Sequence, residues 1–407
     1  MNNTETNSSF ETSNLKMWLS IIILAIATFT IVTAELAPIG LLTPMAEGLQ
    51  QSESMIGLTV TFYAWIGAIS ALLSSAFLGN LPKKTLLITL MFILFISNIL
   101  CAMTTDYYFF VAARVIGALA HGAFWAMIGA LAMSLVPARH VGLATSIVFG
   151  GVSAASVFGI PIANVIGANL SWQMAFWIIS ALSVFSLLGI LLLVPNIKSQ
   201  HAIGITVLKD VIRNPILSKI YIATLLAITA HFSAFTFIEP YLHTSKAISD
   251  NFISIALFTF GFAGLMGNFI TGMFIDRYLK PLILLSVAIV AVSLLILGIF
   301  SSSLNQTAIF ALIIFWGISV SGIFVGFQTW VLRIAQDDAF PASAIYVAIF
   351  NSAIGTGALF GAWIMANFDF TVLMSFSGTA IAISLFMISI IPSEINDAPS
   401  QLVGDNR

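Results

Sequence analysis

The chain has 407 residues, of which 59% are hydrophobic and only 7% are charged, and its formal net charge is −2 at pH 7. Soluble domains carry about 25% charged residues, so this composition excludes a soluble globular protein and indicates an integral membrane protein. The small net charge argues against a nucleic-acid partner. The single cysteine, Cys101, excludes an intrachain disulfide and a zinc site of the usual cysteine spacing.

A polar tail, residues 1–16, precedes the first apolar segment, which is too long for the apolar part of a cleaved signal peptide. At about 20 apolar residues per crossing, we predict an all-α membrane protein with twelve transmembrane helices at residues 17–42, 55–79, 83–104, 107–134, 140–167, 173–195, 217–242, 251–275, 280–300, 306–332, 341–367 and 370–392. The one long polar break, 196–216, separates two six-helix bundles, 17–195 and 217–392, and a second tail follows at 393–407.

The basic residues indicate how the chain is oriented. Of the 14 lysines and arginines, Lys246 alone falls in a loop on the side opposite the N-terminus, and Arg114 falls within a span. The others lie on the side of the N-terminus, and loops rich in lysine and arginine stay in the cytoplasm. We therefore expect a multi-pass protein with both termini and the 196–216 linker in the cytoplasm.

The two halves of the chain also echo each other. Three residues of the fourth span recur in the tenth at a constant offset: Gly117, Gly122 and Phe124 match Gly317, Gly322 and Phe324. The fifth and eleventh spans are both rich in glycine. Two pseudosymmetric six-helix repeats around a central site are a transporter design, although chance matches of glycine are common in membrane helices.

The fourth span places Arg114, His121 and Trp125 on one helix face. A polar face inside an apolar helix is what a solute path needs, and we assign Trp125 to the solute-binding residues. An arginine inside a bilayer costs roughly 2.5–3.5 kcal/mol at the low estimate, unless it faces a polar interior. Glu35 of the first span lies at a similar depth, estimated from the helical rise, so we expect the Glu35 and Arg114 side chains to pair. A carboxylate that gains and loses this partner would carry protons. The alternative is a permanent salt bridge that only fixes helix packing.

Two histidines, His121 and His231, lie near the middle of spans in opposite halves. A histidine can titrate in the physiological range or donate a hydrogen bond to a polar solute. His231, Phe235 and Glu239 follow at i, i+4 and i+8, which predicts one stripe on the seventh span. Aromatic rings beside polar groups suit a sugar, so we predict a solute site here. The alternative is that each histidine is bonded to a neighbouring helix.

Glu239 is a second candidate acid for proton coupling, although its estimated depth places it near the aqueous interface. Pro38 and Pro240 each remove a backbone donor, so we expect both to bend the outer ends of their spans as gate hinges rather than as plain kinks. Other polar residues of the spans either bridge helices or line the solute path, and to that path we assign Tyr63, Trp65, Gln328 and Asn351.

Several stretches resemble the major facilitator superfamily, and this resemblance covers essentially the whole chain. The segment from Gly272 to Lys280, with Asp276 and Arg277, is similar to that family's cytoplasmic loop motif G-x-x-x-D-R-x-x-K/R, an ion-paired latch at helix ends. The equivalent first-half loop, from Gly79 to Lys84, lacks the acid, which argues against a first-half latch.

Two further motifs lie within spans. Arg114 with Gly117 resembles the superfamily's fourth-span arginine motif, which is associated with proton coupling. Gly159 and Pro161 resemble its fifth-span antiporter motif, whose small residues let helices slide and seal. The resemblance implies a fold of two six-helix bundles and gives gating roles to these two residues.

Six other stretches look like the SotB-type sugar efflux transporters, within the superfamily's drug:proton antiporter branch. They are Thr33 to Leu42, Tyr63-Ala-Trp65, Ala120 to Trp125, Thr229-Ala-His231, Ile238-Glu239-Pro240-Tyr241 and Phe315-Trp316-Gly317. This resemblance implies proton-coupled export of arabinose, related sugars or galactoside analogues across the bacterial inner membrane, without a cofactor or metal. We expect a monomer.

Other functions remain open at this point. Export of hydrophobic drugs or of purine nucleosides would use the same fold. A membrane receptor or sensor would be expected to carry a larger soluble part than the two short tails, and a channel agrees less well with two pseudosymmetric halves. A Walker-type glycine loop is missing from the sequence, which argues against an ATP-driven pump, and we expect no enzymatic activity.

Overall fold

The computed structural model describes residues 3–78, 81–137, 140–196, 205–244 and 250–392. The described residues form helices and turns, without a β-strand. Some sequence features lie outside the described residues: Gly79 of the first-half loop, the basic residues Arg139, Lys198 and Lys246, and the tail 393–407.

The helices are numbered α1 to α15 in chain order. Their bounds are Asn3–Gly40, Leu42–Gly48, Glu53–Phe77, Lys83–Met103, Tyr107–Ser134, Val141–Ala154, Ile160–Asn169, Trp172–Leu193, Ile205–Arg213, Pro215–Phe235, Ile238–Thr244, Asp250–Ile299, Gln306–Ala335, Ala339–Asn367 and Phe370–Ser389. A π-helical turn, Ala155–Gly159, joins α6 to α7, and a 3-10 turn, Gln336–Asp338, joins α13 to α14.

Within the described residues, 11 helical segments are long and apolar enough to cross a membrane. One of them, Phe252–Ile299 in α12, has 48 residues, which is about two crossing lengths. Its backbone leaves the helical region at Tyr278, where φ is −129° and ψ is 36°. The eighth and ninth spans therefore meet at Tyr278, and the predicted all-α fold of twelve spans is confirmed.

Several ends differ from the predicted boundaries. Helix α1 begins at Asn3, so it extends back into the segment predicted as a polar tail. The predicted first span is interrupted at Leu41, after which the short α2 begins. The predicted seventh span is divided into α10 and α11, and α9 lies within the predicted linker 196–216.

Side-chain caps fix where many helices begin. At six N-termini a Ser, Asp or Asn side chain accepts a hydrogen bond from an amide of the first turn, which satisfies a donor that has no helical partner. These capping residues are Ser52, Asp106, Ser171, Asn214, Asn305 and Asp369. Most of these caps are at one end of the bundles, the end at which α1 stops. We call this end the distal face, and the end at which α15 stops the terminal face.

Helices α1 to α8 form the N-terminal bundle and α10 to α15 the C-terminal bundle. The bundles meet where α3 packs against α14, and where the π-helical turn and α7 pack against α12. Glycines allow this approach: a Cβ atom on Gly261 would lie 2.3 Å from the Ser156 carbonyl oxygen, and one on Gly355 would lie 2.4 Å from Trp65 Cδ1. The helices could not pack this closely if these two positions carried side chains.

Large apolar side chains cover much of the outer surface. Phe77, Leu192, Met273 and Phe386 are each at least 70% exposed. Apolar exposure on this scale marks a surface that contacts lipid rather than water. The interior, in contrast, holds buried ionisable side chains, and these define the candidate site.

Candidate functional site

Arg114 lies inside the N-terminal bundle and is only 2% exposed. Its Nη1 donates a hydrogen bond to the Ala34 carbonyl (2.5 Å), and its Nη2 donates to the Glu35 carbonyl (3.1 Å). Pro38 accounts for this contact, because proline has no N–H and the Ala34 carbonyl, four residues earlier, loses its helical donor. Arg114 supplies the missing donor and fastens α5 to the distal part of α1.

Glu35 is also buried, with 6% exposure. Its Oε2 lies 3.7 Å from His121 Nε2, and its Oε1 has no hydrogen-bond partner among the described residues. Glu35 and Arg114 therefore lie at one depth, as predicted, but the predicted ion pair between their side chains is wrong. The guanidinium is bonded to the main chain that Pro38 leaves without a donor, and the carboxylate faces His121 instead.

Tyr63 and Trp125 surround His121. The Tyr63 ring meets the imidazole edge to face at a centroid distance of 5.3 Å, and the Trp125 ring does so at 6.2 Å. Arg114 Cζ lies 3.9 Å from the centre of the Tyr63 ring, an arrangement that favours a cation. The predicted face of Arg114, His121 and Trp125 thus points into the bundle.

Buried polar atoms without a hydrogen-bond partner among the described residues are concentrated around this point. Most of them belong to α1, α3, α5 and α14: Thr33 Oγ1, Glu35 Oε1, Thr61 Oγ1, the Tyr63 hydroxyl, Arg114 Nε, both His121 nitrogens and Asn351 Oδ1. We call Glu35, Tyr63, Arg114, His121 and Asn351 the central polar cluster. Buried polar atoms are normally paired, so this concentration indicates a place where water or a polar solute binds.

Asn351 brings the C-terminal bundle to this cluster. A Cβ atom on Gly67 of α3 would lie 3.3 Å from His121 Cδ2 and 3.9 Å from Asn351 Oδ1, so both side chains flank Gly67. Nearby, Trp65 Nε1 lies 3.3 Å from both the Ser352 carbonyl and Thr356 Oγ1 of α14. Trp65 therefore contacts the other bundle, whereas Tyr63 faces its own.

His231 lies in the C-terminal bundle and is 1% exposed. Trp316 Nε1 donates a hydrogen bond to His231 Nδ1 (3.0 Å), and the Phe235 ring stacks on the imidazole at 5.2 Å and 19°. The predicted stripe of His231, Phe235 and Glu239 is wrong beyond Phe235, because α10 ends there and Glu239 lies on the separate helix α11.

Glu239 joins the two bundles at the distal face. It is 0% exposed, and its Oε2 accepts hydrogen bonds from Thr43 N (3.0 Å) and Thr43 Oγ1 (2.9 Å). Its Oε1 lies 2.9 Å from His243 Nε2, and Glu53 Oε1 lies 3.2 Å from Thr43 Oγ1. Glu239 is therefore buried between the two bundles at the distal face and is not exposed to water. We call Thr43, Glu53, Glu239 and His243 the distal latch.

Both predicted hinge prolines lie next to helix breaks. Pro38 stays inside α1, and the break follows at Leu41. The break before Pro240 falls at residues 236–237, where a turn separates α10 from α11. Because both breaks are at the distal face, the distal latch is carried by two short helices, α2 and α11, and by the first residue of α3.

Gly159 and Pro161 flank the end of the π-helical turn Ala155–Gly159. A Cβ atom on Gly159 would lie 2.6 Å from Thr33 Oγ1, so this turn packs tightly on α1. The same turn contacts α12 of the other bundle. π-helical turns often occur at functional sites, and this one lies where the bundles meet.

The motif at the terminal face makes its contacts within the C-terminal bundle. Asp276 Oδ1 pairs with Arg333 Nη2 at 2.7 Å, and Lys280 Nζ donates to the Ser389 and Ile391 carbonyls at 2.7 Å each. Arg277 Cζ lies 5.2 Å from the centre of the Tyr278 ring. These contacts tie α12 to α13 and to the end of α15.

Two predicted residues lie apart from the sites described above. Gly272 is exposed, and a Cβ atom there would meet nothing within 4 Å. Gln328 Nε2 donates to Ser343 Oγ (3.1 Å), about 18 Å along α13 from Trp316 by helical rise. The structure therefore does not bring Gln328 to the aromatic rings around His231.

Sequence reasoning missed most of the distal latch and the partner of His231. His243 follows Glu239 at i+4, a spacing that places two side chains on one helix face and that could have revealed their contact. Thr43 carries no comparable signal, because a threonine near a span end is ordinary in membrane helices. Trp316 lies in one of the stretches that resemble sugar efflux transporters, but that resemblance did not indicate its contact with His231.

Comparison with known proteins agrees with this architecture. The family model described as Major Facilitator Superfamily matches residues 21–246 and 220–401. A crystal structure of the human organic anion transporter MFSD10 (TETRAN) is similar with a TM-score of 0.66 at 14% identity, covering 91% of this chain and 98% of that one. A crystal structure of a mutant of the nucleoside transporter NupG is similar with a TM-score of 0.71 at 16% identity, covering 92% and 99%. At these identities the likeness to the two structures concerns the fold alone.

Proposed function

The chain belongs to the major facilitator superfamily and is therefore a multi-pass membrane transporter, and from this premise we propose that it exports sugars such as arabinose in exchange for protons. The two bundles would rock around the central polar cluster and expose it to one side of the membrane at a time. The positive-inside pattern supports an orientation with the terminal face in the cytoplasm, and the resemblance to sugar efflux transporters supports a location in the bacterial inner membrane.

The observation that carries this proposal is the set of unpartnered polar atoms in the central polar cluster. Leaving a buried polar atom unpaired costs about 1–3 kcal/mol, and several such atoms occur together here. A protein that only needed to pack its helices would gain by replacing these side chains with apolar ones. A polar solute or water that enters this region would supply the missing partners.

Proton coupling is assigned to Glu35 together with His121. Both are buried and their side chains lie 3.7 Å apart, so a proton bound by either group changes the charge that the other faces. Arg114 is hydrogen-bonded to the main chain of α1 and not to the Glu35 carboxylate. A change of charge on Glu35 or His121 would therefore act on the guanidinium that holds α1, and so on the position of α1. A membrane potential contributes about 2.3 kcal/mol per charge per 100 mV, which is enough for more than tenfold accumulation per proton.

The distal latch is the gate in this proposal. Its carboxylate, Glu239, comes from the C-terminal bundle and its donors, the amide and hydroxyl of Thr43, come from the N-terminal bundle. When the bundles separate at the distal face these bonds must break, and the helix breaks near Pro38 and Pro240 allow α2 and α11 to move. When these bonds are formed, the distal face is closed, and the solute would enter from the terminal face.

Sugar as the solute is supported by the resemblance to sugar efflux transporters and by the chemistry around the site. Aromatic rings beside single polar groups, as at His231 and Phe235, suit a solute with apolar C–H faces and hydroxyl groups. The same rings would also stack on a nucleobase, which makes purine nucleoside export the second candidate function.

Transport in everted vesicles separates these candidates. We expect labelled arabinose to enter everted vesicles against its gradient when a proton gradient is present, and an uncoupler to abolish this uptake. Glu35→Gln should abolish uphill uptake, whereas Glu47→Gln, a change at an exposed glutamate of α2, should leave it intact. Uptake of adenosine or a cationic dye with none of arabinose or related sugars would contradict the sugar assignment. Uptake of sugar that is indifferent to the uncoupler would contradict proton coupling.

A further inference from the structure

His231 is enclosed by aromatic rings from three helices of the C-terminal bundle. Phe235 stacks on the imidazole at 5.2 Å, and Phe232, Phe324 and Trp316 meet it edge to face at 4.8, 5.6 and 5.7 Å. A parallel ring, Phe260, lies 6.4 Å from the imidazole and 4.7 Å from Phe235. Five rings therefore surround His231, and we call them the aromatic cage: Phe232, Phe235, Phe260, Trp316 and Phe324.

The hydrogen bond from Trp316 fixes the chemical form of the imidazole. An indole N–H can only donate, and it points at His231 Nδ1 from 3.0 Å. Nδ1 must therefore carry a lone pair, which places the ring hydrogen on Nε2 and leaves the imidazole neutral. A protonated imidazole would carry a hydrogen on Nδ1 as well, and that hydrogen would oppose the indole hydrogen. None of the cage rings is ionisable, so nothing in the cage favours the charged form.

The second ring nitrogen of His231, Nε2, carries a hydrogen that can bind an acceptor from outside the protein. Nε2–H has no hydrogen-bond partner among the described residues. The residue as a whole is 1% exposed, and because Nε2 is not one of the fully buried polar atoms that lack a partner, it keeps some accessible surface. A donor kept in one tautomer and without a protein acceptor is suited to an oxygen atom of a bound molecule.

We propose that Trp316 is a positioning residue that holds His231 in the Nε2–H tautomer, and that Nε2–H donates to an oxygen acceptor of the solute. This inference rests on the proposed transport function and adds to it a division of tasks. His121 faces a carboxylate and serves the proton, whereas His231 is enclosed by uncharged rings and serves the solute. The solute class is a neutral molecule with an exposed oxygen acceptor and an apolar face, such as a sugar.

The test uses the full-length protein in lipid nanodiscs with 15N-labelled histidine. The His231 resonances, assigned by their loss in His231→Gln, should show an unprotonated Nδ1 and a protonated Nε2. Trp316→Phe should replace this with a mixture of tautomers, weaken arabinose binding by about tenfold, the value of one hydrogen bond, and make binding depend on pH through the released imidazole. A role for Trp316 in packing alone would not introduce this pH dependence.

Trp330 provides a matched control. It lies on the same helix, α13, is 0% exposed, and its Nε1 has no hydrogen-bond partner among the described residues. Trp330→Phe therefore removes the same atoms without releasing a histidine, and should leave the His231 tautomer and the pH profile of binding unchanged. An equal loss of affinity in Trp316→Phe and Trp330→Phe would overturn the inference, as would a protonated Nδ1 in the unaltered protein.

Addition of arabinose separates this inference from the proposed function. A shift of the His231 Nε2 resonance on binding supports both. Sugar transport with an unmoved Nε2 resonance overturns the inference and leaves the proposed function intact. If no sugar is bound or transported, the proposed sugar function fails. The same resonance is then read with adenosine, and a shift supports the solute role of His231 while no shift overturns it.

Discussion

Arg114 should become far less important for stability when Pro38 is replaced by alanine. In the native protein the guanidinium donates to the Ala34 carbonyl, whose helical donor is missing because residue 38 is proline. Arg114→Met removes that donor and leaves a buried carbonyl unpaired, at a cost of about 1–3 kcal/mol. With alanine at position 38, the new N–H bonds the Ala34 carbonyl, and this part of the cost disappears. The second hydrogen bond, to the Glu35 carbonyl, is lost equally in both backgrounds and cancels.

The measurement is a double-mutant cycle of the free energy of unfolding in mixed detergent micelles, followed by tryptophan fluorescence. We expect Arg114→Met and Pro38→Ala to couple by about 1–3 kcal/mol. Arg114→Met with Pro240→Ala is the control pair and should be additive within about 0.5 kcal/mol, because Pro240 lies in the other bundle. Additivity of the Arg114 and Pro38 changes would refute the explanation given for the buried arginine.

Three more outcomes are expected. Glu35→Gln should retain arabinose counterflow, which needs no net proton movement, while losing uphill uptake, and loss of both activities would show that Glu35 binds solute or supports folding instead. Thr43→Val removes one of the two donors that Thr43 offers to Glu239, so labelling of a distal cysteine probe should increase about tenfold or more, the value of one hydrogen bond to a charged group; unchanged labelling would argue against a gate there. Gly122→Leu should prevent stable folding, because even a Cβ atom at Gly122 would lie 2.1 Å from the Gly67 carbonyl oxygen, and native expression and thermal stability in that variant would contradict the packing of α3 on α5.

The pattern of the sequence predicted the number of spans correctly because span length and hydropathy are local properties. Positions of the helix breaks were less accessible. Pro240 indicates a disturbed helix, but the break falls earlier, at residues 236–237. For the π-helical turn Ala155–Gly159, Pro161 is the one nearby residue that indicates an irregular helix. Such details depend on which neighbouring helix satisfies the released backbone groups.

The candidate site shows the same division. Arg114, Glu35 and His121 could be singled out because ionisable side chains are costly in lipid. Their contacts could not be predicted in this way. Arg114 bonds the main-chain carbonyl of Ala34, which lacks a helical donor because residue 38 is proline. Glu239 was singled out as well, but its partner Thr43 lies 196 positions away in the chain.

The sequence alone therefore determined the class of the protein, its spans and the buried polar residues around which transport is proposed, because composition and hydropathy act through the solvent that each segment prefers. The tertiary structure decided which of these residues meet. The guanidinium bonds backbone rather than carboxylate, His121 faces Glu35, Trp316 holds His231, and Glu239 bridges the two bundles. Partner choice among buried polar groups follows from distances between helices that pack side by side, and no local pattern encodes those distances.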